Sequence, residues 1–409
     1  MVAEGEKREK GRKGMRCDKL GERSNMRHWR AHINLPFWRA VAGMVGGTVG
    51  VGVFGLPFAF SQSGFAIGLT TLAVVAAAVL VLNLMYGDLV LQTAGRHRFG
   101  GYVREHLGDG WGHLASMTMA FGVIGAMLAF MVVGGRFLEE LLMPLVALPE
   151  EACAFALAAT VAAASYRGTR LAARVEGVVV GALLFLFAFL TLAVLPEGHV
   201  SNLAGANLAK AFVPYGVVLF ALAGGGVIPD MRDVLGARRE RELPHAIGLG
   251  LLLIVALYAA FSAAVLAATG SATTPAALTG LIALLGPSFG LVVSLLGSLV
   301  VASIFLTHAV ILQNQLHVDH GVKRTHAWLA ASLAAPALYL LGLRDFIAII
   351  GFVGSVFGGV SGLLIIASYE AMRTSRWCRE HVCLDVPFAV SALVAVSFII
   401  GILAELHSL

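Results

Sequence analysis

Apolar residues fall into eleven long blocks along the chain, and polar residues gather at the joints between them. The blocks run 37–60, 66–93, 114–138, 152–165, 175–195, 212–235, 247–268, 289–312, 327–341, 346–369 and 387–403, the fourth and ninth being the shortest. A helix needs roughly 20 apolar residues to cross the hydrocarbon core of a bilayer, and blocks of this kind are what a hydropathy window finds in spanning helices. The pattern predicts an all-α polytopic membrane protein with eleven transmembrane helices.

The joints carry a second pattern. With the N-terminus placed in the cytoplasm, every inside segment is basic, and of the 29 Lys and Arg residues only Arg136, Lys210 and Arg344 fall outside. Such alternation is the positive-inside rule, and a missed or extra span would scramble it beyond the error. It predicts a cytoplasmic N-terminus and an external C-terminus in the cell membrane. Composition agrees: 58% of residues are hydrophobic and 13% charged, against about 25% charged in a soluble chain. The basic balance is explained by topology, so no nucleic-acid partner is implied, and no obligate protein partner either.

Residues 1–36 read as a disordered basic tail without the apolar core of a secretory signal. Cys17, Cys153, Cys378 and Cys383 are too scattered for a disulfide framework, and Cys378, His381 and Cys383 make only a weak metal motif.

Two blocks are unlike the rest. The first contains Gly46-Gly47-Thr48-Val49-Gly50-Val51-Gly52-Val53-Phe54-Gly55-Leu56-Pro57, and the sixth contains Ala223-Gly224-Gly225-Gly226-Val227-Ile228-Pro229-Asp230. Glycine costs up to about 1 kcal/mol in a helix interior and proline about 3, so a plain lipid-facing helix would not collect both at its centre. An unwound segment would. It frees backbone N–H and C=O groups, which hydrocarbon tolerates only where they line a cavity. The exposed helix N-terminus attracts an anion such as a carboxylate, and the freed carbonyls suit a cation. An α-amino acid carries both charges on one carbon. The glycines of the tenth block, Gly354, Gly358 and Gly362, read instead as close helix packing.

The two interrupted blocks lie five spans apart. Spans 1–5 (37–195) and 6–10 (196–369) then form halves of odd helix number that insert with opposite orientation, the inverted-repeat design of secondary transporters. Residues 370–409 hold a cytoplasmic loop and a peripheral eleventh helix.

At these residues the chain resembles the amino acid/auxin permease family, with its LeuT-type five-plus-five fold, over roughly 37 to 403. The run from Gly46 to Ala59 resembles the family's first helix, Phe220 to Gly236 its sixth, Ala129 to Leu138 its third and Val301 to Phe305 its eighth. Prokaryotic aromatic and neutral amino acid permeases look nearest. The resemblance implies that Gly50, Val51 and Gly52 meet the substrate carboxylate, and that Phe220, Ala223 and Gly225 meet the amino group and side chain, with Phe130 beside them. It also implies a sodium site from the Gly46, Val49 and Leu299 carbonyls and the Ser303 hydroxyl. Three residues depart from the family pattern: Val53 stands where an Asn ligand is usual, Ala302 where a Thr is, and Phe130 where a Tyr is. A hard cation wants several oxygen ligands, so the departures favour a proton over sodium.

A proton-coupled carrier needs an ionisable group near its gate. Asp230 is the candidate, weighed against a pairing with Arg232. Asp88 and Glu176 read as interfacial salt bridges and His308 as polar packing. No GxSxG, HExxH or GxxxxGK[ST] signature is present, which argues against an enzyme and against ATP hydrolysis. Expected, then, is an ion-coupled secondary transporter of a neutral, apolar or aromatic amino acid, with no cofactor beyond the coupling ion. A carrier of an amine or metal ion on the same fold is the alternative.

Overall fold

The computed structural model describes residues 34–166, 169–319, 321–374 and 384–408. Most of the expected tail, together with Cys378, His381 and Cys383, lies outside them. Among the described residues every regular element is helical, as the apolar blocks predict.

The first half holds α1 (Leu35–Thr48), α2 (Gly52–Ser63), α3 (Phe65–Gln92), α4 (Phe99–Leu107), α5 (Asp109–Leu142), α6 (Glu150–Tyr166) and α7 (Thr169–Val194). The second holds α8 (Val213–Ala221), α9 (Ile228–Leu235), α10 (Leu243–Thr269), α11 (Leu278–Leu285), α12 (Pro287–Asn314), α13 (Arg324–Leu340), α14 (Phe346–Phe352) and α15 (Gly359–Thr374). The last two are joined by a π-helical turn, Val353–Gly358. A final helix, α16 (Phe388–Ser408), follows.

Among the described residues seven helical stretches, α8–α9 and α14–α15 each counted as one, are long and apolar enough to cross a membrane, and the bent pair α1–α2 makes an eighth. The blocks expected at 152–165 and 327–341 form helices of 17 residues each, α6 and α13. The block expected at 175–195 lies in α7. The outer sides of the bundle helices are apolar: Val74 of α3, Leu252 of α10, Leu333 of α13 and Leu393 of the last helix are each more than half exposed. The short α4 and α11 are additions that hydropathy did not mark. Neither is long enough to span.

Each half contains one interruption. Helix α1 stops at Thr48, Val49 to Val51 are not helical, and α2 leaves at 61° to α1. In the second half α8 stops at Ala221, and one 3₁₀ turn over Gly225–Val227 leads into α9. The prolines are not themselves the breaks. Pro229 occupies the first turn of α9, where its missing N–H costs nothing, and Pro57 rides inside α2.

The basic loops gather at one end of the bundle and hold one another. The Asn34 amide donates to Glu242 at 2.7 Å, Arg96 pairs with Asp233 at 3.4 Å, and Arg232 pairs with Glu240 at 3.4 Å while donating to the Val90 carbonyl at 2.9 Å. Asp88, expected in a salt bridge, instead accepts from the Gln92 side chain at 3.2 Å and the Leu384 N–H at 3.0 Å. The Glu176 side chain lies outside the described residues. The opposite end carries Arg136 on Glu150 at 3.1 Å and Arg344 on Glu151 at 3.0 Å.

Candidate functional site

The two interruptions face each other in the middle of the bundle, and small residues let them meet. A Cβ on Gly224 would fall 1.7 Å from the Thr48 hydroxyl, and one on Gly52 would fall 2.9 Å from the Ala221 backbone. Both helix ends leave orphan groups: the first N–H groups of α2 have no acceptor within it, and the last carbonyls of α1 and α8 have no donor within theirs. Tyr258 of α10 reaches in to meet two of those carbonyls. Its hydroxyl donates to Ala221 O at 2.9 Å and stands 3.5 Å from Thr48 O.

A cavity of about 480 Å³ begins at these breaks, a size typical of small-molecule sites. Its walls include Gly46, Val49, Gly50, Val51 and Gly52 from the first interruption and Phe220, Ala223, Gly225 and Asp230 from the second. Phe130 of α5 and Ser303 and His308 of α12 close the far side. Leu299, expected to contribute its backbone carbonyl, is the one expected site residue whose atoms are not in the wall; its side chain faces outward from α12, which leaves the carbonyl's part open.

The cavity is open toward the basic end. Asp230, Ala223 and Gly226 are exposed, and Phe99, Met119 and Ile365 continue the wall in that direction. Toward the other end it is sealed. Phe54 lies 5.2 Å from Phe137 and 5.1 Å from Phe187, which lies 5.1 Å from Phe261, and all four rings are buried. Beside this plug a Cβ on Gly354 would fall 2.1 Å from Gly216 O and 2.6 Å from Phe220 N. Backbone therefore packs on backbone, as expected for that glycine. Gly362 is covered instead by the Phe398 ring of α16, whereas Gly358 has no neighbour nearer than 3.5 Å to its Cβ position.

Asp230 forms no ion pair among the described residues, because Arg232 turns away to Glu240 and Val90. Two wall residues escaped the sequence reading. Thr48 and Asn83 are 7% and 2% exposed, and the Thr48 hydroxyl and the Asn83 amide nitrogen find no partner among the described residues. Asn83 is an amide inside an otherwise apolar span, turned to the cavity wall.

The tryptophan/tyrosine permease family model matches residues 36–364. The chain belongs to that family. The motifs resemble the amino acid/auxin permeases, and the match supports the prokaryotic aromatic side of that resemblance rather than the auxin family name. A tryptophan-specific transport protein of Shigella flexneri is 26% identical over 225 residues, 53% of this chain and 54% of that one. An uncharacterised transporter of Mycobacterium bovis is 26% identical over 236 residues, 55% of this chain and 51% of that one. The chain thus spans about half the length of the curated relatives it matches.

Among solved structures, MhsT in complex with L-phenylalanine aligns with a TM-score of 0.64 at 14% identity, covering 92% of this chain and 98% of that one. A manganese transporter of Eremococcus coleocola aligns at 0.64 and 14%, covering 91% and 87%. Mhp1, a nucleobase-cation-symport-1 family transporter, aligns at 0.61 and 12%, covering 91% and 90%. These likenesses establish the LeuT-type fold. Membership of a permease family also sets the chain apart from enzymes.

Proposed function

We propose that this permease is a secondary transporter of aromatic amino acids that works by alternating access, with a proton favoured over sodium as the coupling ion. The observation that carries the reading is the cavity between two facing helix breaks, in a chain of the tryptophan/tyrosine permease family. The α2 N-terminus offers free N–H groups and a positive dipole end to a carboxylate, through Gly50, Val51 and Gly52. The carbonyls around Phe220, Ala223 and Gly225 face the ammonium group. Phe130 and Phe220 supply ring contacts for an aromatic side chain.

With the basic loops in the cytoplasm and the C-terminus outside, the cavity opens inward and the Phe54 cluster closes the external side. The proton preference rests on two features: Asp230 stands in the cavity wall with no ion pair among the described residues, and Val53 and Ala302 lack the side-chain oxygens that a sodium site would use. A carrier that alternates must present the same groups to either face, and an acid near the mouth can exchange its proton with only one face at a time. The fold is shared with a manganese transporter and a nucleobase symporter, so the solute follows from family and site rather than from fold.

The test is uptake of labelled tryptophan and tyrosine into liposomes containing the purified protein, under an inward proton gradient or an inward sodium gradient. Accumulation driven by protons alone is expected. A strict need for sodium would overturn the coupling, and absence of uptake under either gradient would overturn the substrate class.

A further inference from the structure

The cavity wall contributed by α12 holds one imidazole whose tautomer the structure fixes. His308 Nδ1 lies 3.0 Å from the Ile304 carbonyl oxygen one turn back. A carbonyl can only accept, so Nδ1 carries the hydrogen. In a neutral imidazole the other nitrogen is then a bare acceptor. No described group donates to Nε2.

The surroundings of that ring are apolar and aromatic. Phe130 meets it edge to face, with ring centroids 4.8 Å apart at 80°, and Phe305 lies 6.3 Å beyond Phe130. Val123, Ala126, Ile304 and Ile311 line the same part of the cavity. Thr307, one position before it, gives its hydroxyl hydrogen to the Ser303 carbonyl at 3.1 Å and keeps only its oxygen lone pairs for a ligand. An acceptor in an apolar, ring-lined space asks for a flat ligand carrying one N–H or O–H.

We infer that His308 is the specificity-determining residue that accepts a hydrogen bond from the ring N–H or O–H of an aromatic amino acid, and so selects tryptophan and tyrosine over phenylalanine. The inference rests on the proposed aromatic substrate class. A site built to hydrogen-bond a substrate group disfavours the analogue that lacks it, because its own polar atom is then left buried and unpaired.

The test compares binding to the purified full chain of L-tryptophan, L-phenylalanine and 3-benzothienylalanine, in which sulfur replaces the indole N–H with little change of shape. Wild type, His308→Leu and His308→Gln are measured, each shown to be folded and monodisperse. Wild type should bind tryptophan about tenfold more tightly than the sulfur analogue. His308→Leu should bring that ratio near one while still binding phenylalanine, and His308→Gln, which keeps an acceptor, should restore part of it. Equal binding of tryptophan and the analogue by wild type would overturn the inference and leave the transporter reading intact. So would an unchanged ratio in His308→Leu, or an equal loss of every ligand. If wild type binds no aromatic amino acid, both readings fail together.

Discussion

The Tyr258 hydroxyl donates to the Ala221 carbonyl at 2.9 Å, and both residues are buried. Ala221 is the last residue of α8, so this bond satisfies a carbonyl that the helix break has freed. The same oxygen stands 3.5 Å from Thr48 O, at the end of α1. One side chain from a third helix thus serves the ends of both broken helices. Tyr258→Phe keeps the ring and removes the donor. An orphaned buried acceptor costs about 1–3 kcal/mol. Thermal unfolding in detergent should show that loss, together with weaker substrate binding. An unchanged melting temperature would mean that the break is not held by this bond.

The sealed end depends on glycines that touch backbone. Gly354→Ala places a carbon 2.1 Å from Gly216 O, where no flexible side chain can yield. Overpacking of this kind costs about 1–3 kcal/mol, and it should loosen the end that the Phe54 cluster closes. Gly248→Ala in α10 is the control, since a Cβ there meets nothing within 4 Å. Melting temperatures should fall for the first variant and hold or rise slightly for the second.

Asp230 should matter to coupling rather than to substrate recognition. Asp230→Asn keeps the size and removes the proton site. Proton-driven accumulation should be lost or sharply reduced, while exchange without a gradient persists. Retained proton-driven accumulation in this variant would assign the coupling to another group.

His106 lies outside the spans on α4, and its ring bonds to the Thr93 hydroxyl at 2.8 Å. That hydroxyl gives its own hydrogen to Leu89 O, so the His106 ring nitrogen is the donor. Burial holds its pKa below the ordinary value of 6.5. As pH falls below about 6.5 the unfolded chain takes up the proton first, so stability contributed at neutral pH is lost on acidification. His106→Gln should flatten the fall of melting temperature between about pH 6.5 and 5. An equally steep fall in the variant would place the sensitivity elsewhere.

The helical architecture and both interruptions were legible in the sequence, because hydropathy and clustered glycines follow directly from the cost of exposing backbone to hydrocarbon. The position of each break was legible only in part. Proline draws the eye to Pro57 and Pro229, yet the chain unwinds at Val49–Val51 and around Ala223, where glycine leaves room for the facing segment. Three features could not be read from spacing. Tyr258 serves breaks that lie far from it in sequence, Asn83 and Thr48 meet Gly225 and Gly224 only in three dimensions, and the tautomer of His308 needs the Ile304 carbonyl in place.

The central claim is tested most directly by counterflow. Liposomes containing the protein are loaded with unlabelled L-tryptophan, diluted into a trace of labelled L-tryptophan without any ion gradient, and sampled over time. Exchange through an alternating-access site predicts a transient accumulation of label above equilibrium, abolished by excess external tryptophan. A flat trace from protein shown to be folded would contradict the account.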